Sequence, residues 1–319
     1  MALEPALREL SRALAVATPP LTSAEMDAAE ARRRATTRAS LSGLIDDTAA
    51  EPEQTVRWRD AHLRVRTTTA GVSDGPLVLY LHSGGWVAGS TAATQRACRA
   101  LADGLAATVV SLGYPLAPEQ PYPAALDNTL AALRWLASGE SGLPGDASVV
   151  ILAGESAGGN LAASALLRLR DSGESLPIRA ALLVVPVLDH DFTRPSYQRF
   201  DRGDIDGRSG MHWYAQQYLA ASGAAEADSP YVWPLRTDWF GGLPPTVLVQ
   251  AEYDPLVDEQ REWASRVSAE GGRIELLRYP GVGHGFFGLD QLSPTARRAQ
   301  RDACAALTDM LGSRQRSLR

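Results

Sequence analysis

From Leu77 onward, short uninterrupted apolar runs alternate with segments whose apolar residues recur at helical spacing. That alternation is expected of a parallel sheet with crossover helices, because a strand covered on both faces has no polar side to show. The runs predict strands over Leu77–His82, Thr108–Tyr114, Val149–Gly154, Ala181–Val187, Thr246–Tyr253 and Ile274–Tyr279. Between them, Ala93–Ala106, Ala124–Leu136, Ser156–Arg170 and Val257–Glu270 read as helices. Upstream, Thr55–Arg59 and His62–Thr69 alternate polar with apolar residues, the pattern of an antiparallel hairpin at a sheet edge. The expected fold class is α/β, a mostly parallel sheet of about eight strands flanked by helices.

Two segments break this rhythm. Residues 1–50 read as amphipathic helices interrupted at Pro19 and Pro20. Residues 189–244 separate two consecutive strands by far more chain than an ordinary connection needs. Both are candidates for a helical cap over the strand ends. The expected organisation is therefore N-terminal cap helices over 1–50, a catalytic core over 51–188, a cap insertion over 189–244 and the rest of the core over 245–319.

Composition narrows the partners. With 45% hydrophobic and 21% charged residues, the chain has ordinary globular character and none of the signature of disorder. Every basic residue is an arginine, yet the net charge is −6 and no stretch concentrates base on one face, so nucleic acid is not an expected partner. The run Arg32-Arg33-Arg34 is expected on a solvated helix face. Glu4, Arg8 and Glu9 interrupt the first ten residues, unlike a secretory signal, which predicts a cytoplasmic protein. Apolar runs such as Ala180–Leu188 are too short to cross a bilayer, so no membrane span is expected. Cys98 and Cys304 are the only cysteines and are expected as free thiols. Asp189-His190-Asp191 invites a metal reading, but three adjacent side chains at a strand end point in different directions; neither metal nor other cofactor is expected.

The strongest chemical signal is Gly154-Glu155-Ser156-Ala157-Gly158-Gly159-Asn160, which follows an apolar strand and opens a helix. In that context G-x-S-x-G is a nucleophile elbow: serine sits on a sharp turn, and its neighbours must be small because the backbone is crowded. After the first parallel strand comes His82-Ser83-Gly84-Gly85-Trp86, where adjacent glycine N–H groups can approach a substrate oxygen closely. Gly84, Gly85 and the N–H of Ala157 are thus the expected oxyanion hole. A catalytic serine also needs a base and an orienting carboxylate at later strand ends. His284 and Asp254 stand there, giving the chain order Ser, Asp, His. Asp258 is the second-ranked carboxylate, since a helix starting after Pro255 carries it away. His82 is assigned to support of its own turn. Ser83, Trp86, Glu155, Trp213 and Phe286 are the candidate lining of the substrate pocket, and Tyr197, Tyr214, Trp233, Trp239 and Phe240 are further aromatics expected either to line it or to pack cap against sheet.

These motifs resemble those of the hormone-sensitive-lipase-like (bacterial family IV) esterases of the α/β-hydrolase superfamily, over roughly Leu77–Leu289. The Asn160-Leu161-Ala162 extension, the Asp254-Pro255-Leu256 turn, His284-Gly285-Phe286 and the Tyr114-Pro115-Leu116-Ala117-Pro118-Glu119 stretch carry the resemblance as well. It implies Ser156 as nucleophile, His284 as base then acid, Asp254 as its orienting carboxylate, and a family habit of dimerising through the last strand and helix. Two positions depart from the family pattern: Ser83 stands where glycine is usual and Glu155 where aspartate is most common. The expected activity is hydrolysis of short-acyl esters of small molecules through an acyl-enzyme, without cofactor. An N-acetyl or amide hydrolase with the same triad, or a ligand-binding member of the fold, are the alternatives.

Overall fold

In the computed structural model, which describes residues 2–19, 21–22, 24–45, 52–71, 74–200 and 208–317, the apolar runs become strands of one sheet. They are β1 (Gln54–Trp58), β2 (Ala61–Thr69), β3 (Pro76–Leu81), β4 (Thr108–Leu112), β5 (Asp146–Glu155), β6 (Ile178–Val184), β7 (Thr246–Tyr253) and β8 (Ile274–Gly283). Their order is β1-β2-β4-β3-β5-β6-β7-β8. Strands β1 and β2 run antiparallel to their neighbours, and the others are parallel. This is the mostly parallel eight-stranded α/β arrangement that the motifs imply.

Alternate side chains of the central strands feed two separate cores. Leu77, Leu79 and Leu81 of β3 and Val150 and Leu152 of β5 face one. Val78, Tyr80, Ile151 and Ala153 face the other. Helices α4 (Ala124–Ala137), α5 (Ala157–Ser172) and α9 (Val257–Ala269) close the first face; α3 (Gln95–Leu105) and α10 (Pro294–Ser317) close the second. Cys98 and Cys304 are buried in this second core as free thiols. Two helices, α1 (Pro5–Ala17) and α2 (Ala28–Leu41), precede the sheet, and α6 (Pro195–Phe200), α7 (Arg208–Tyr218) and α8 (Ala224–Ala227) occupy the long excursion between β6 and β7. Residues 46–50 of the predicted N-terminal cap and 201–207 of the predicted insertion lie outside the described residues.

Most strand and helix limits shift by one to four residues from expectation, and three of these shifts have a local reason. Strand β6 ends at Val184 instead of Val187, because Val185 takes φ 39° and the chain turns so that Val187 N–H donates to Ser156 O at 3.3 Å. Strand β4 stops at Leu112, and Tyr114 stacks instead on His82 with ring centroids 4.0 Å apart. Strand β8 continues through Pro280 to Gly283; on the outermost strand of a sheet, a missing N–H deprives no neighbour. Among the described residues, no helix is long and apolar enough to cross a membrane.

Candidate active site

Sheet register brings the chemical groups together. Leu81 at the end of β3 pairs with Gly154, and Glu155 at the end of β5 pairs with Val184, so the turn after β3 and Ser156 leave the sheet side by side. Tyr253 of β7 pairs with Gly283 of β8, so the next residues on each strand, Asp254 and His284, emerge as neighbours.

The serine turn is built by close packing of main chain. Ser156 has φ 55° and ψ −116°, a left-handed value that a non-glycine residue holds only when its surroundings enforce it. A Cβ on Gly154 would lie 2.2 Å from Gly158 O, and one on Gly158 would lie 2.1 Å from Leu81 O. Glycine at both positions lets α5 start against the end of β3. Ser156 N–H donates to Val184 O at 2.9 Å, fixing the turn to the neighbouring strand.

His284 Nε2 lies 2.8 Å from Ser156 Oγ and its Nδ1 lies 3.1 Å from Asp254 Oδ2. A neutral imidazole protonated on Nδ1 satisfies both contacts, donating to the carboxylate and accepting from the hydroxyl. Asp254 is fully buried, and its other oxygen accepts Leu256 N–H at 2.9 Å. Gln260 Nε2 adds a longer contact to Oδ2 at 3.4 Å. Asp258, in the first turn of α9, instead accepts Ser196 N–H at 2.9 Å.

The turn after β3 wraps the same space. Gly84 (φ 125°) and Gly85 (φ 60°) adopt conformations that suit glycine. A Cβ on Gly85 would meet the Tyr214 ring of α7 at 2.3 Å, so that position has no room for a side chain. Ala157, first residue of α5, has no carbonyl earlier in its helix for its N–H. His82 is buried, its Nδ1 lies 2.8 Å from Ser83 O, and burial lowers its pKa to about 4. Tyr114 OH donates to His82 O at 2.8 Å, so this histidine braces the turn from beneath.

Above Ser156 is a cavity of about 610 Å³, the size of a small-molecule site. Ser83, Gly84, Gly85, Glu155, Ser156, His284 and Phe286 all line it. Glu155 is buried, and burial pushes its carboxyl pKa up, opposed by the nearby charges of His284 and Arg38. Two expected pocket residues lie elsewhere. Trp86 is fully buried behind the turn, stacked on Tyr218 at 4.6 Å with its Nε1–H donated to Asn160 Oδ1 at 3.3 Å. Trp213 is buried among the core aromatics, while its neighbour Tyr214 faces the cavity. A single residue step, about 100° around the helix, decides which ring of α7 reaches the site, and an aromatic pair gives no phase by itself.

Apart from Leu256 of the Asp254-Pro255-Leu256 turn, the remaining wall comes from residues that no local motif marks. Leu7, Leu10 and Leu14 of α1 and Arg32, Ala35 and Arg38 of α2 reach the cavity, as do Met211 and Leu256. The expected solvated face of Arg32-Arg33-Arg34 is only partly so. Arg33 pairs outside with Glu30 at 2.6 Å, whereas Arg34 reaches Thr18 O and Pro19 O, and Arg32 Nε donates to Val87 O at 3.0 Å. The Asp189-His190-Asp191 side chains do diverge: Asp189 holds Arg194 and Arg236, His190 meets Asp228 at 3.0 Å, and Asp191 caps Thr193.

Fold and site together define an α/β hydrolase with a serine at its elbow. The chain belongs to the alpha/beta hydrolase fold family, whose family model matches residues 78–288, and it is an ester hydrolase of the carboxylesterase type. It is 37% identical over 238 residues to Carboxylesterase NlhH of Mycobacterium tuberculosis, covering 73% of each chain. It is 33% identical over 267 residues to Ethyl acetate hydrolase of Pseudomonas putida, covering 82% of this chain and 83% of that one. Among solved structures, a hyperthermophilic esterase from the archaeon Pyrobaculum calidifontis superposes with a TM-score of 0.85 at 31% identity, covering 97% of this chain and 99% of that one.

Proposed function

We propose that the protein hydrolyses short-acyl esters of small molecules through an acyl-enzyme formed on Ser156. The observation that carries this reading is the line of contacts from Ser156 Oγ to His284 Nε2 at 2.8 Å and from His284 Nδ1 to Asp254 Oδ2 at 3.1 Å. His284 takes the serine proton as Oγ attacks the ester carbonyl, and Asp254 stabilises the imidazolium that forms. The N–H groups of Gly84, Gly85 and Ala157 receive the developing oxyanion, where fixed dipoles in a water-poor site are most effective. His284 then protonates the departing alcohol. Water, activated by the same imidazole, releases the acid and regenerates Ser156.

The short-acyl preference rests on the residues of α1, α2 and α7 that wall the cavity. Acting as a cap, they bound the volume an acyl chain can fill, so each further methylene helps by at most about 0.8 kcal/mol until the space is full. Beyond that point overpacking lowers the rate. The test is kcat/KM across p-nitrophenyl acetate to dodecanoate, with Ser156→Ala as control and a fluorophosphonate probe to identify the labelled residue. The expected result is a maximum at hexanoate or shorter, labelling at Ser156 and no turnover by the variant. A maximum at dodecanoate removes the chain-length reading; label on another residue removes the nucleophile.

A further inference from the structure

The guanidinium of Arg38, on α2, donates from Nη2 to the main-chain carbonyl oxygen of His284 at 2.9 Å. The two residues are 246 positions apart, so this bond ties the N-terminal helices directly to the loop that carries the imidazole. The neighbouring glycine makes room for it: a Cβ on Gly285 would sit 2.9 Å from the same Nη2. Six residues earlier on α2, Arg32 makes an equivalent reach to the other side of the site. Its Nε donates to Val87 O at 3.0 Å and its Nη2 to Ala117 O at 3.2 Å, while Glu119 accepts from Nη2 at 2.6 Å and from Nη1 at 2.9 Å. Val87 lies two residues beyond Gly85, in the turn that borders Ser156. One helix thus grips the main chain of both loops that flank the serine.

We propose that Arg38 is a positioning residue for His284, with α2 acting as a two-point clamp that sets the imidazole against the glycine turn. This rests on the reading of His284 as the base that serves Ser156. Within the sheet the end of β8 is held only from the β7 side, and on its open side the main-chain bond from Glu4 N–H to Gly281 O at 2.8 Å stops three residues short of His284. Arg38 supplies the opposite hold through a charge-assisted bond to the carbonyl of the very residue whose ring must reach Oγ. Positioning errors of about an ångström at a reacting group cost on the order of 10²-fold. The loss on removing Arg38 should therefore fall chiefly on turnover, with only a small change in substrate affinity from its place in the cavity wall.

The test uses the full-length protein with p-nitrophenyl butyrate, active sites being counted by fluorophosphonate labelling carried to completion. Arg38→Met should lower kcat per labelled site by about 10- to 100-fold with KM within about twofold. Arg38→Lys, which can still donate to the carbonyl, should recover most of that loss. If Arg38→Met does not accumulate as folded protein, Arg38→Gln, shorter but still a donor, is read in its place and should fall between wild type and a tenfold loss. Unchanged kcat, a loss confined to KM, or a loss that lysine does not rescue overturns the clamp. Activity surviving in Ser156→Ala would instead overturn the triad reading, so the two failures are separable.

Discussion

The serine side and the α2 side of the site are held by different physics. Around Ser156 the main chain packs against itself: Gly154, Gly158 and Leu81 approach so closely that a single added methyl group would overlap a carbonyl oxygen. Around α2 the main chains stand apart, and arginine side chains span the gap to Val87 O, Ala117 O and His284 O. Close-packed backbone is stiff and intolerant, because no rotamer change can relieve a carbonyl clash. Arginine bridges accept a substitute donor, and where water reaches them each adds little to stability even when it positions a reacting group. The same candidate site therefore rests on one wall that cannot vary and one that can be tuned.

The largest effect expected from this contrast is at Gly158. Gly158→Ala places its Cβ 2.1 Å from Leu81 O and should destabilise by more than about 4 kcal/mol, so little folded protein should be recovered by size-exclusion chromatography. Asp254→Asn should leave folding intact and lower kcat on the order of 10⁴-fold, because asparagine no longer selects the imidazole tautomer. Asp258→Asn should cost far less, its carboxylate being spent on Ser196 N–H. A greater loss from Asp258→Asn would break the assignment.

Next comes the pH response of the buried brace. Burial holds the His82 pKa at about 4 against an ordinary 6.5. Below pH 6.5 the unfolded chain takes up a proton that the folded one refuses, so stability is present in full above 6.5 and is lost as pH falls toward 4. The loss should reach about 3 kcal/mol. Urea denaturation at pH 7 and pH 4.5 checks it: His82→Gln should be less stable than wild type at pH 7, and the gap should narrow at pH 4.5. A gap independent of pH would contradict the buried neutral histidine. The smallest effect belongs to the α2 side. Glu119 is 58% exposed where it meets Arg32, so Glu119→Gln should shift stability by less than about 1 kcal/mol. A greater shift in the melting temperature would mean that this wall, too, is rigid.

The sequence was most legible where local chemistry and tertiary demand coincide. Strand β7 begins and ends where its apolar run does, and the glycines around Ser156 announce their turn because only glycine fits it. Helix α10 was not foreseen. Its buried face is mostly alanine, at Ala296, Ala299, Ala303 and Ala306, set in an arginine-rich run that gives no strong apolar stripe. Trp86 neighbours the glycine turn in sequence, yet its positive φ of 62° sends the ring away from the cavity and onto Tyr218. Arg38 carried no signal at all, since its partner is a backbone carbonyl that any residue at position 284 would offer.

Asn160 bears on how such enzymes can be rebuilt. Its single side-chain amide nitrogen donates to Val187 O at 3.1 Å and Val232 O at 2.8 Å, points on either side of the excursion that contains α6, α7 and α8. Both ends of that excursion are thereby stapled to one buried atom on the serine helix. Whatever lies between them is a closed loop, and lengthening a closed loop costs only about 0.6 kcal/mol per doubling. Segments 188–231 borrowed from other hydrolases could accordingly be exchanged as cassettes, with the carbonyls of Val187 and Val232 as the fixed joints and the elbow left undisturbed beneath them.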